Sequence, residues 1–182
     1  MDPFDLIHEF YDPASVLYSV LVSHSAQVTE KALEIAVKVP WLHPDLDFIK
    51  QAAMLHDIAI FQTNASQINC RGTHPYVVHG FLGRGILESK GFPRHALACE
   101  RHVGVGISAE EITLHNLPLP VRDMIPQSIE EIIICFADKF FSKDPKGPKQ
   151  EKTIAEVMES ISRYGRKQAD RFMEWNSFLN ST

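Results

Sequence analysis

The chain has 182 residues, enough for one ordinary domain with a real core and too few for two comfortable ones. Its 45% hydrophobic and 23% charged content is that of a globular protein. A formal net charge of −5 argues against coating nucleic acid, which needs an excess of Lys and Arg facing the phosphates, but leaves room for a small phosphate-bearing ligand held by a few local cations.

In chain order, the opening MDPFDLIHEF has neither a basic start nor an uninterrupted apolar core, so no signal peptide is expected. DPASVLYSVLVSHSAQVTEKALEIAVKV follows as a helix with Asp12 or Ser15 as cap and Pro13 in the first turn. Leu17, Leu21, Val28, Ala32 and Ile35 share one face of it, and Pro40 stops it. PDLDFIKQAAMLHDIAIF starts a second helix with Ile49, Ala53 and Met54 inward. HPYVVHGFLGRGILESKG reads as a third, with Pro75 near its start and Gly91 as its stop. PRHALACERHVG is a short fourth, ending at Gly104 or Gly106. SAEEITLHN is another short piece, whose Ser108 and Glu111 fit a capping box.

SIEEIIICFADKFFSK repeats that signature with Ser128 and Glu131. Its run IIIC could be a buried strand, but an acidic first turn, a basic end and sixteen residues favour a helix. DPKGPKQ is a loop, and KTIAEVMESISRYGRKQADRFMEWNSFL closes the chain as one or two amphipathic helices. No two alternating strands are joined by a turn signal, so the expected architecture is all-α, one domain over 1-182, with a core at about 18-145 and a C-terminal helix at 150-179 packed on it. Ile154, Val157, Ile161, Tyr164, Phe172, Trp175 and Phe178 supply its apolar face, and a homodimer contact is the alternative to packing on its own domain. Cys70, Cys99 and Cys135 are odd in number and lack a CxxC spacing, which suits free, packed thiols in a reducing compartment. No stretch approaches the roughly 18 apolar residues of a membrane span. The expected location is the cytoplasm, with no membrane and no nucleic acid as partner.

Histidine is the unusual component, with nine residues. His24 falls on the stripe of Leu17, Leu21, Val28 and Ile35. His56 continues Ile49 and Ala53, and His79 lies among Tyr76, Leu82 and Ile86. His102 follows Ala98 and Cys99, and Asp138 follows Ile134 and Cys135. Five helices thus each bring a metal-competent side chain inward, and Asp57 stands beside His56. Each of these would cost roughly 1–3 kcal/mol if buried unpaired. A shared cation would satisfy them together, whereas any one alone reads more simply as a hydrogen-bonded core residue. His8, His43, His95 and His115 read as terminal, loop or surface residues, and His74 could face the mouth of a site.

The pattern H…HD…H…H…D resembles the HD superfamily of metal-dependent phosphohydrolases. It is carried by SHSAQV with His24, MLHDIAIF with the His56–Asp57 doublet, and ICFADKF with Asp138, across roughly residues 18 to 145. His79 in VVHGFLG and His102 in ERHVGVG look like the extra histidines of the two-metal subgroup. The arrangement is similar to bacterial diadenosine tetraphosphate hydrolases and to uncharacterised HD-domain hydrolases, although IAIFQTNASQINCRGTHPY does not map onto the former's substrate contacts. The resemblance implies a helical bundle with one metal on His24, His56, Asp57 and Asp138, and a second on His79 and His102 with Asp57 as bridge. Two divalent transition-metal ions are expected, iron ranked first, otherwise manganese, nickel or zinc.

Such a pair activates a water and clamps phosphoryl oxygens, with Asp57 positioning the hydroxide, so the implied activity is hydrolysis of a small nucleotide or phosphate ester. Arg101, Arg122 and Lys139 are candidate cations for the substrate. Lys139 is the weakest of them, because residue i+1 points about 100° away from residue i on a helix. His74 is a candidate contact and the only residue offered as leaving-group acid. Two other readings share these ligands: a di-iron HD-type oxygenase acting on a small polar substrate, and a non-catalytic nucleotide-binding module, against which the complete ligand set argues. The sequence lacks HExxH, ExxH, a Walker loop and G-x-G-x-x-G, which counts against a zincin protease, a ferritin-like bundle and dinucleotide or P-loop chemistry.

Overall fold

The computed structural model describes residues 1–148 and 150–180. It is built from nine α-helices among those residues: α1 (Pro3–Phe10), α2 (Val16–Lys38), α3 (Leu46–Leu55), α4 (His79–Ser89), α5 (Pro93–Arg101), α6 (Ala109–Leu114), α7 (Ile129–Asp138), α8 (Ile154–Ser162) and α9 (Arg166–Leu179). The all-α expectation holds. One small antiparallel pair, β1 (Asn64–Ala65) with β2 (Cys70–Arg71), lies in the stretch after the doublet that carried no helical period. No helix among the described residues is long and apolar enough to cross a membrane.

The helix ends are set by short polar side chains. Ser15, not Asp12, caps α2, accepting from the Tyr18 amide, and Pro13 therefore lies before the helix rather than in its first turn. Ser108 and Glu111 form a full capping box on α6. Ser128 caps α7, but Glu131 turns away from the box to Arg101 and the Gln127 amide, and the helix runs ten residues rather than sixteen. The opening segment, read only for what it lacks, forms α1 under an Asp2 cap with Pro3 in its first turn. The closing segment divides at Gly165, whose φ of 115° ends α8 and starts α9.

Helix α2 packs on α3 and α7, and α4 packs on α5. Its buried residues belong to two apolar clusters. Val20 and Leu21 join α1, the end of α3, and Cys99, whereas Val28 and Ala32 join α7 and α9. His24 and Ser25 lie between them on the same helix, so the polar residues gather at the seam. From the C-terminal segment, Val157, Ile161, Phe172 and Trp175 are buried in the second cluster, while Tyr164 and Phe178 are exposed.

The α4–α5 contact depends on glycine. A Cβ on Gly83 would stand 2.3 Å from Cys99 Sγ, and one on Gly80 would stand 2.6 Å from the Cys99 carbonyl oxygen. That close approach brings the start of α4 against the end of α5, and His79 with it against His102.

Candidate metal centre

Three helix ends converge on the seam. His56 is the C-cap of α3 with Asp57 after it, His102 is the C-cap of α5, and Asp138 is the last residue of α7. Helix C-termini carry partial negative charge, so the backbone as well as the carboxylates favours a cation there. His24 enters from the middle of α2, and His79 from the first residue of α4. All six side chains are buried, Asp57 and His56 completely.

The three helix-end histidines are oriented alike. Nδ1 of His56, His79 and His102 lies 2.5, 2.6 and 2.6 Å from the carbonyl oxygen three residues earlier, on Ala53, Tyr76 and Cys99. A carbonyl can only accept, so Nδ1 carries a proton in each ring and Nε2 is the nitrogen left facing the centre, the one a metal would take. His24 lacks that bond: its Nδ1 is buried with no partner.

The two oxygens of Asp57 face different histidines. Oδ2 is 3.3 Å from Nε2 of both His24 and His56, while Oδ1 is 3.2 Å from His79 Nε2 and 3.5 Å from His102 Nε2. Asp138 Oδ1 joins the first group, 2.9 Å from His24 Nε2 and 3.5 Å from His56 Nε2. These atoms are near one another but not in hydrogen-bonding alignment, since His24 Nε2, His56 Nε2 and both Asp57 oxygens are buried without a hydrogen-bond partner. They aim at shared points rather than at each other.

Donor atoms of His24, His56 and Asp138 lie within 4.8 Å of one another, as do those of His56, Asp57 and His102. Nε2 of His79 and of His102 are 3.0 Å apart and face each other across the centre. The residues present fit a metal group on chemical grounds: imidazoles oriented through Nδ1, two carboxylates, and buried Nε2 and carboxylate atoms of His24, His56 and Asp57 left without a hydrogen-bond partner. In total the donor set is mixed nitrogen and oxygen, which suits first-row transition metals.

Charge balance acts in the same direction. Burial drives the His102 imidazolium down to about 3, so that ring stays neutral. Burial also opposes a proton on His56, yet Asp57 and Asp138 outweigh it and push that ring up to about 9. Against burial, Lys143 and His56 hold Asp57 ionised, and Lys139 and His24 hold Asp138 ionised, both well below the usual carboxylate range. In the absence of an ion, protons and ammonium groups supply positive charge here.

A cleft of about 1030 Å³ opens onto His79, His102 and Asp138, and runs past Tyr76 and Lys143 to Tyr164 at the α8–α9 turn. Lys139 lines it, with Nζ 2.7 Å from Asp138 Oδ2 and 3.0 Å from the His102 carbonyl oxygen. It lies close to the centre despite its helical position, because α7 has ended one residue before.

The expected contacts Arg101, Arg122 and His74 do not line that cleft. Arg101 is committed to Glu131, with Nη1 3.0 and 2.9 Å from the two carboxylate oxygens. Arg122 and Arg84 both bind Glu100, a carboxylate buried in α5 that needs those partners. His74 is exposed, and its backbone bonds to Gln62 and Asn64 hold the loop before the 3₁₀ turn at Tyr76–Val78.

Sequence reasoning missed Lys143, whose Nζ lies 2.6 Å from Asp57 Oδ2. That reasoning reads it only as the basic end of a sixteen-residue helix, whereas α7 stops at Asp138 and the chain beyond it brings the lysine back over the centre. It also missed the clamp on the loop behind His102. Gln168 of α9 accepts from the Val105 amide and donates to the Gly106 carbonyl and to Glu111, and Arg171 donates to the Val105 and Gly106 carbonyls.

Fold and site together define a helical metal-binding domain built around a His-Asp doublet. The HD domain family model matches residues 21–143, and the chain belongs to that family. An uncharacterised protein of Methanocaldococcus jannaschii is 33% identical over 137 residues, covering 71% of this chain and 73% of that protein. A tRNA (cytidine(56)-2'-O)-methyltransferase of Thermoplasma volcanium is 28% identical over 163 residues, 88% of this chain. The chain spans only 42% of that methyltransferase, and 32% of a second one, from Picrophilus torridus. Among solved structures, the HD domain of the L. monocytogenes phosphodiesterase PgpH superposes with a TM-score of 0.54 at 16% identity, covering 93% of this chain and 90% of that one, a likeness of fold.

Proposed function

We propose that this chain is a metal-dependent phosphohydrolase with a binuclear centre, acting on a small nucleotide or other phosphate ester. The observation that carries the reading is the division of Asp57, one oxygen toward His24 and His56 and the other toward His79 and His102. His24, His56, Asp57 and Asp138 would hold one ion, and Asp57, His79 and His102 the other. Two divalent ions so held would lower the pKa of a shared water and neutralise phosphoryl oxygens during in-line attack.

The protein's own residues do the rest. The backbone carbonyls of Ala53, Tyr76 and Cys99 fix the imidazoles, so no reorientation is needed when a ligand arrives. Lys139, in the cleft wall, supplies positive charge for non-reacting phosphate oxygens. The cleft far exceeds a phosphate, and Ile68, Val77, Val103, Ile107 and Phe141 give it apolar walls for the rest of the substrate. A diadenosine tetraphosphate is one candidate on these grounds. The methyltransferase activity of the archaeal relatives belongs to proteins of which this chain matches less than half, and it is not proposed here.

Elemental analysis of protein purified without added metal, paired with hydrolysis of a phosphomonoester, a phosphodiester and a dinucleoside polyphosphate, tests the reading. About two transition-metal ions per chain with chelator-sensitive hydrolysis supports it. Two irons without hydrolysis, but with oxygen uptake on partial reduction, replaces it with the oxygenase. One ion or none makes His79 and His102 ordinary core histidines.

A further inference from the structure

Two lysines attend the two carboxylates, but they take different kinds of oxygen. Lys139 meets Asp138 at Oδ2, while the histidines face Oδ1 of the same carboxylate. Lys143 meets Asp57 at Oδ2, the oxygen that also faces His24 and His56. An ammonium on Lys143 therefore occupies ligand space, whereas that on Lys139 is placed beside it. The Lys143 side chain is only 13% exposed, reaches the centre from the irregular segment after α7, and lies 5.9 Å from the Tyr76 ring centroid. It also lines the cleft, so a small turn about its flexible stem moves Nζ from the carboxylate into the substrate's space.

We propose that Lys143 works at two positions: it is the counter-ion of Asp57 when no metal is bound, and the metal displaces it into the cleft, where it binds the substrate's anionic group. This rests on the binuclear reading above. Metal and ammonium both draw on Oδ2, and two cations brought that close in a buried site repel each other, so an ion there drives the ammonium off. Displacement couples loading of the centre to assembly of the anion site, because the cation that guarded the carboxylate becomes available only once that carboxylate has its ion. The charge at the centre is thus never left uncompensated, which is what a fully buried aspartate requires.

The test compares chelator-stripped wild type with Lys143→Met and Lys139→Met, by calorimetric titration with manganese(II) and then with inorganic phosphate on the loaded proteins. Lys143→Met is expected to bind manganese about tenfold more tightly and phosphate about tenfold more weakly. Those opposite signs are not what structural damage gives, since damage weakens both. Lys139→Met measures the through-space effect of losing one nearby charge, and its gain in metal affinity should be clearly smaller. Melting of the stripped protein should fall for Lys143→Met while that of the loaded protein stays near wild type. Equal metal gains in the two variants, unchanged manganese affinity in Lys143→Met, or unchanged phosphate affinity overturns the proposal and leaves the binuclear centre standing. A wild type that binds no manganese overturns the centre itself.

Discussion

Gly83→Ala isolates the α4–α5 contact on which the pairing of His79 with His102 depends. In an exposed helix this change gains about 1 kcal/mol of helix propensity. Here the added Cβ would lie 2.3 Å from Cys99 Sγ, 3.4 Å from Ile58 Cγ2 and 3.6 Å from Ala59 Cβ, all three on fully buried side chains. Cys99 cannot yield freely, because it is buried and its thiol donates to the His56 carbonyl oxygen at 2.9 Å. Forcing a methyl group into such a core costs roughly 1–3 kcal/mol, so overpacking outweighs propensity and the net effect is about 0–2 kcal/mol destabilising.

The double variant Gly83→Ala/Cys99→Ala decides the cause. Cys99→Ala alone loses the thiol's volume and its bond, but in the pair the new methyl fills that space. Urea unfolding of all four proteins should give a favourable coupling of about 1 kcal/mol or more. Metal content should fall in Gly83→Ala and recover in the double variant, because separating the helices separates the imidazoles. Simple additivity, or a Gly83→Ala protein more stable than wild type, would refute close approach as the reason for the glycine.

Asp57→Ala removes the group shared by both sets of histidines, and elemental analysis should find neither ion retained; a variant that keeps both sinks the bridging assignment. Gln168→Ala strips partners from the Val105 amide, the Gly106 carbonyl and Glu111 at a buried site, and should cost about 2–4 kcal/mol in urea unfolding. A loss below 1 kcal/mol would mean that Arg171 alone holds the loop. Arg122→Ala should cost about 1–3 kcal/mol, because Arg84 still attends the buried Glu100. Its KM for a phosphate ester should stay within about twofold of wild type, as should that of Arg101→Ala, and a large KM rise in either would return these arginines to the substrate.

The candidate ligands were legible because helical period makes a strong signal: a histidine on an apolar stripe is placed inward by the same rule that places leucine. His24 and Asp138 needed nothing more. The cations were not legible, because a charged side chain at a helix end answers to whatever carboxylate the fold brings near it. Arg101 stands next to His102 in the sequence, yet Glu131 comes from α7 to claim it. Lys143 lies where period ends, and only the return of the chain over the centre sets its distance to Asp57. Similarly, Glu100 belongs to none of the apolar stripes, but α5 turns it inward onto Arg84 and Arg122.

The direction of the helices explains why this seam suits a cation before any side chain is counted. Three helices end at it, and the carbonyls of Ala53 and Cys99, in the last turns of α3 and α5, each accept a hydrogen bond from the imidazole three residues on. One bond therefore does two things: it satisfies a carbonyl that a helix end would otherwise leave open, and it fixes the lone pair that a metal requires. A histidine within the helix body gains no such partner, and His24, in the middle of α2, is the candidate ligand whose Nδ1 is left without one. Its ring is held by packing and by Asp57 and Asp138 alone. Orientation at the other three histidines belongs to the backbone, while orientation at His24 belongs to the centre's own charge.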